Sequence, residues 1–157
     1  MTDYTDSLGF FKNSAGFPAN YTDRVSVVEI DLDFARIAAA RDAAGAPALA
    51  SGDTLVIGTL PKGAYVVAAA ATLIKAEGAA GTISVGVTGA ATLWANAFNL
   101  NAAAGTSVGV TNGARYAATE TDILMTINTN DIDAARAKIS LAVVNMGAEL
   151  GTIPNVT

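Results

Sequence analysis

Asn128, Asn130, Asp131 and Asp133 place four oxygen-bearing side chains within six residues, close enough for a loop to wrap a hard cation such as calcium. The loop lacks the glycine and the distal glutamate of an EF-hand. Asn and Asp are also what a solvated turn between strands prefers, so the turn is the better reading. Asp31 and Asp33 make a second D-x-D, yet Asp33 stands just ahead of a helical pattern, where its carboxylate caps free amides without a metal. Lys138 could activate Ser140 as a nucleophile. Residues two apart on a strand share a face, however, and these two fall on the solvent side opposite Ile139 and Leu141. The glycine series Gly81, Gly86, Gly89 and Gly105, Gly109, Gly113 invites comparison with a phosphate loop. No Gly-Lys-Ser/Thr follows and no helix opens behind them, so bulges or close backbone approach explain them better. Trp94 could stack on a sugar ring if exposed, but its place between Leu93 and Phe98 reads as core. No residue earns a catalytic, metal-binding or cofactor-binding assignment.

Composition points the same way. The 157 residues contain no histidine and no cysteine, which removes the commonest general base, thiolate chemistry and sulfur-ligated metals. Only nine basic residues are scattered through a chain of net charge -5, too few to form a phosphate-neutralising stripe, so nucleic acid is not expected as a partner. Mean hydropathy is +0.41. The longest apolar run, Ala64 to Ile74, lies between Lys62 and Lys75 and falls far short of the ~20 residues of a spanning helix, so no membrane partner is expected. Acid in place of base near Met1, with no apolar stretch behind it, gives no expectation of an export leader. High Ala and Val content with 15% charged residues suits a surface partly covered by neighbouring subunits.

The elements that would carry these residues are mostly strands. Val28, Ile30 and Leu32 share one strand face. Asp33 then caps a helix bearing Phe34, Ile37, Ala38 and Arg41 on one side, with Gly45 and Pro47 as its stop. From Thr54 the period changes to two. Leu55–Leu60 and Tyr65–Ile74 are strands joined by a Leu60–Gly63 turn. Ile83, Val85 and Val87 face inward, with Thr82, Ser84, Gly86 and Thr88 on a polar outer side, and Thr92–Phe98 pairs back after Gly89. Asn112-Gly113 predicts a hairpin between Thr106–Thr111 and Ala114–Thr119, and strands around Ile123–Ile127 and Ile139–Val143 follow. About nine strands, mostly antiparallel neighbours, predict an all-β, jelly-roll-like antiparallel β-sandwich with one short helix in an early crossover.

The expected organisation is an extended N-terminal arm over residues 1–23, a β-sandwich domain over 24–147 and a C-terminal tail over 148–157. Five of the ten aromatic residues, Tyr4, Phe10, Phe11, Phe17 and Tyr21, lie in the arm, interleaved with Gly9, Gly16, Pro18 and Asn20. They cannot all line one face of a regular element, and an exposed cluster of rings is a liability in a free monomer. They are the candidate contacts to a partner surface or a neighbouring subunit; the alternative is that the segment folds back over its own domain.

The stretch LDFARIAAARDAAGAPALASGDT from Leu32 to Thr54, continuing to LPKGAYVV at Leu60 to Val67 and ending in the valine-rich Ile139 to Val144, resembles the head decoration (cement) proteins of tailed bacteriophages. The resemblance implies a small β-sandwich that forms a homotrimer on the outer surface of the virion, with the major capsid protein as partner, and that stabilises the capsid without being an enzyme. The arm has no counterpart in the pattern. Two rival classes stand beside this expectation: a virion-surface module that recognises a host glycan through Trp94 and the polar loops, and a hydrolase or lyase working with carboxylates alone.

Overall fold

The computed structural model describes residues 10–14, 25–110, 115–129 and 131–145. Within them lie ten strands and one helix: β1 (Phe10–Ser14), β2 (Val25–Asp33), α1 (Phe34–Ala43), β3 (Thr54–Leu60), β4 (Ala64–Lys75), β5 (Thr82–Val87), β6 (Ala90–Asn99), β7 (Ser107–Val110), β8 (Arg115–Tyr116), β9 (Thr121–Thr129) and β10 (Arg136–Asn145).

Alternation along the strands sorts them into two sheets. One runs β1-β2-β10-β4-β7, with β8 also on β4; the other runs β3-β9-β5-β6, and all pairings are antiparallel. The chain crosses between sheets at each of the connections β2–β3, β3–β4 and β4–β5, so sequence neighbours face one another across the core. With β7 and β8 taken as one interrupted strand and β1 set aside, eight strands in this order form the double Greek key of a jelly roll. The antiparallel β-sandwich expected from the sequence is the fold observed.

The inner faces meet in a single apolar core. Val28, Ile30 and Leu32 of β2, Ile139 and Leu141 of β10, and Val66 and Leu73 of β4 come from one sheet. Ile83, Val85 and Val87 of β5 and Ile123, Met125 and Ile127 of β9 come from the other, and all are buried. Helix α1 occupies the β2–β3 crossover and closes one end of the sandwich with Phe34 and Ile37. Asp33 begins it, accepting a hydrogen bond from the Arg36 amide at 3.2 Å. A Schellman arrangement ends it: the Ala46 amide donates to Arg41 O and the Gly45 amide to Asp42 O, with Gly45 at φ +66°.

Three local readings change. Ser107–Val110 and Arg115–Tyr116 each pair antiparallel with β4, at Thr72–Ala69 and Val66–Tyr65, so the chain keeps one direction across them instead of reversing. The expected hairpin is absent because a strand interrupted at a sheet edge has the same alternation on both sides of a turn-forming dipeptide as a hairpin does; Asn112 and Gly113 themselves lie outside the described residues. The turn after β3 is shifted by one residue, with the Ala64 amide donating to Pro61 O and Gly63 at φ +84°. The second face of β5 is not solvated. Ser84 and Gly86 are buried there because β6 bulges over β5, the six residues from Ala90 to Ala95 spanning what β5 covers with the three from Val85 to Val87.

Candidate functional site

The Asn/Asp loop is held by a carboxylate from another segment. Glu77, just beyond β4, accepts hydrogen bonds from the backbone amides of Asp133 (3.0 Å), Ala134 (3.1 Å) and Ala135 (2.7 Å), three successive donors turned toward one anion. Its own amide donates to Leu100 O, tying the β4–β5, β6–β7 and β9–β10 connections together. Asn128 turns its amide group to Ser84, Nδ2 donating to Oγ at 2.8 Å, while the same Oγ accepts from the Ala97 amide at 3.1 Å. Asp131 and Asp133 are exposed, and Asn130 lies outside the described residues. Among the described residues no three acidic side chains come together as a metal site.

The second acidic pair and the Lys/Ser pair sit on the outer face of the six-stranded sheet. Arg136 grips Asp31 with a two-point fork, Nε to Oδ1 at 3.0 Å and Nη2 to Oδ2. That hydrogen bond, reinforced by the Asp31 charge, raises the Arg136 pKa above its ordinary value. Lys138 donates to Glu29 Oε2 at 3.2 Å, so its ammonium is engaged in an ion pair with the residue that stands opposite Ser140, while Ile139 and Leu141 on the opposite face are buried. Further along this face the charges give way to small apolar residues: Val27 and Val67 are exposed, near Ala68, Ala70 and Ala142.

Trp94 is 1% exposed, so its ring offers no face for a sugar to stack on. The glycan alternative loses the residue that suggested it.

Of the five candidate contact residues, Phe10 and Phe11 lie in β1, whose backbone pairs with β2 in the register Phe10↔Leu32 to Ser14↔Val28. Tyr4, Phe17 and Tyr21 lie outside the described residues. Beside β2, at the flank where the two sheets part, runs a small apolar groove lined by Val28, Ile30, Gly58, Leu60, Pro61 and Ile123. Sequence reading missed this flank. The bulge in β3 between Val56 and Gly58 that shapes it has no signature beyond the glycine itself.

The site inventory is thus of surfaces and edges, with no cleft of converging reactive groups among the described residues. No protein-family model matches the sequence, and neither does any curated protein sequence. Solved structures do match the fold. A chain of the Cyanophage Pam1 capsid asymmetric unit aligns with TM-score 0.58 and 17% identity over 80% of this chain and 87% of that one. A chain of the capsid of Ralstonia phage GP4 aligns with TM-score 0.55 and 18% identity, with the same coverage. A chain of the acid-stable capsid of Helicobacter pylori bacteriophage KHP30 aligns with TM-score 0.51 and 12% identity over 81% of this chain and 92% of that one.

Proposed function

We propose that the chain is a structural protein of a phage virion, a decoration or cement protein that binds the outside of the capsid as a homotrimer and stabilises it, with no catalytic activity. The observation that carries this reading is the nearly end-to-end likeness to chains from three phage capsid structures, 87%, 87% and 92% of whose lengths are covered. The surface chemistry supports it. The polar clusters are consumed by the fold itself: Glu77 braces a loop, Asp33 caps α1, and Asp31 and Glu29 hold basic residues of β10. The major capsid protein is the partner, and the arm of residues 1–23, with Tyr4, Phe10, Phe11, Phe17 and Tyr21 as anchors, makes the contact. Burial of one such ring is worth ~1.5 to 3 kcal/mol, so several together offset the ordering of a segment this long.

The test is deletion of residues 1–23. Val28, Ile30 and Leu32 remain, and β2 keeps its ladder with β10, so the sandwich folds. Added to heads that lack the protein, the truncated chain should bind far less than the full chain in co-sedimentation. Equal binding would move the contact surface to the sandwich. Light scattering after size exclusion should give the mass of a trimer for the full chain, and a monomer at high concentration would contradict the homotrimer.

A further inference from the structure

The edge of β2 is a strand-acceptor site, and the length of chain before it points to what fills it. β1 is held at the sheet edge by β2 alone, through five residue pairs from Phe10↔Leu32 to Ser14↔Val28. Ten residues, 15–24, separate the two strands. A hairpin between adjacent antiparallel strands ordinarily needs two to about five. Ten residues reach up to roughly 35 Å when extended, against a radius of gyration of about 15 Å for a domain of this length. A connection of that length is long enough to carry β1 to the same edge of a neighbouring molecule as well as to the edge it occupies within its own chain.

From these relations, and resting on the reading of residues 1–23 as a docking arm, we propose that β1 is a shared strand: residues 10–14 of one copy complete the sheet of another by pairing with its β2. The occupant of the edge is a second copy of this chain. Exchange alters no hydrogen bond in kind, because donor strand and acceptor edge come from the same sequence and keep the same register. It also explains why β2 needs a partner. Without β1, Val28 to Leu32 would present an unpaired edge beside the apolar groove that Val28 and Ile30 line, a ready template for uncontrolled pairing. Reciprocal donation covers every such edge in a closed ring of subunits and ties each subunit to the next through backbone.

Engineered disulfides test this, because the chain contains no cysteine of its own. Asn13 and Glu29 are direct partners across the β1–β2 ladder, and opposed antiparallel residues sit within disulfide range. Asn13→Cys and Glu29→Cys variants carrying tags of different size are co-expressed, purified, concentrated, oxidised and run on a non-reducing gel. Exchange predicts a covalent heterodimer from the mixture and covalent oligomers from the Asn13→Cys/Glu29→Cys double variant. A double variant that closes only within its own chain, with no heterodimer from the mixture, overturns the proposal. Failure of both to cross-link overturns it as well, since the ladder is then absent. Head binding of the uncross-linked variants is scored separately: decoration without exchange leaves the capsid role standing and removes only the shared strand.

Discussion

Arg136 stands directly opposite Asp33 across the β10–β2 ladder, yet its guanidinium reaches one step diagonally to Asp31. The reason lies in the helix. The Asp33 carboxylate accepts the Arg36 amide at the start of α1 and leaves Asp31 as the neighbour that receives the two-point grip. The two acids of the D-x-D thus have separate tasks, and their substitutions separate accordingly. Asp33→Ala should cost about 1 kcal/mol in urea unfolding. Arg136→Met should cost less than about 1 kcal/mol, a loss that shrinks with added salt, because half of that side chain is in water. Since Asp31 raises the Arg136 pKa, the cation's contribution is complete below its unfolded-state value and fades only as pH climbs through the folded value. The stability difference between Arg136→Met and the parent should therefore stay flat from neutral to moderately alkaline pH.

Among the described residues, Gly86 is a glycine with no room for a side chain. A Cβ built there would lie 2.0 Å from Ala90 O and 2.6 Å from Ala91 C, both backbone atoms of the β6 bulge. Gly86→Ala should therefore lower stability by about 1 to 3 kcal/mol or more by forcing β5 and β6 apart, read as a fall in the thermal midpoint or in soluble yield. Gly58→Ala is the control: its Cβ meets only Ile123 at 3.4 Å and Ile30 at 3.6 Å, ordinary contact distances, and the variant should fold with a far smaller change.

Glu77 braces the loop whose composition looks most like a cation site. Glu77→Ala strips the acceptor from three consecutive amides and should cost about 1 to 3 kcal/mol. Millimolar calcium should leave the thermal midpoint of the parent protein unchanged. A calcium-dependent rise that disappears in Asp131→Asn/Asp133→Asn would show the loop to be a cation site.

Trp94 reports on both fold and ligand. As the only tryptophan and a buried one, it should emit at short wavelength in the native protein and shift to the red on unfolding, in one step with the loss of β-sheet circular dichroism. Soluble oligosaccharides should leave that emission unchanged.

What the sequence made legible is what local chemistry dictates. Asp33 and Gly45 bracket α1 because capping and positive φ are properties of single residues, and the inward sets Val28/Ile30/Leu32 and Ile83/Val85/Val87 follow from the period of a strand. What stayed hidden depends on distant chain. Ser84 and Gly86 look like a solvated face until β6 folds over them, and Ser84 is matched by Ala97 and Asn128, 13 and 44 residues away. The Asn112-Gly113 signal misled because strand pairing with β4, far earlier in the chain, decides whether flanking segments pair with each other. The Asn/Asp loop reads from sequence as a solvated turn between strands, and nothing local announces that Glu77 would hold it, 56 to 58 residues apart.

The most direct measurement of the capsid role is electron cryo-microscopy of heads from the encoding phage, grown without this protein and imaged before and after the purified chain is added back. The account predicts new density on the outer surface at symmetry-related sites, each fitting three copies of the sandwich, and heads that survive heating the bare heads do not. Heads with no added density, or density confined to the interior or the tail, would contradict it.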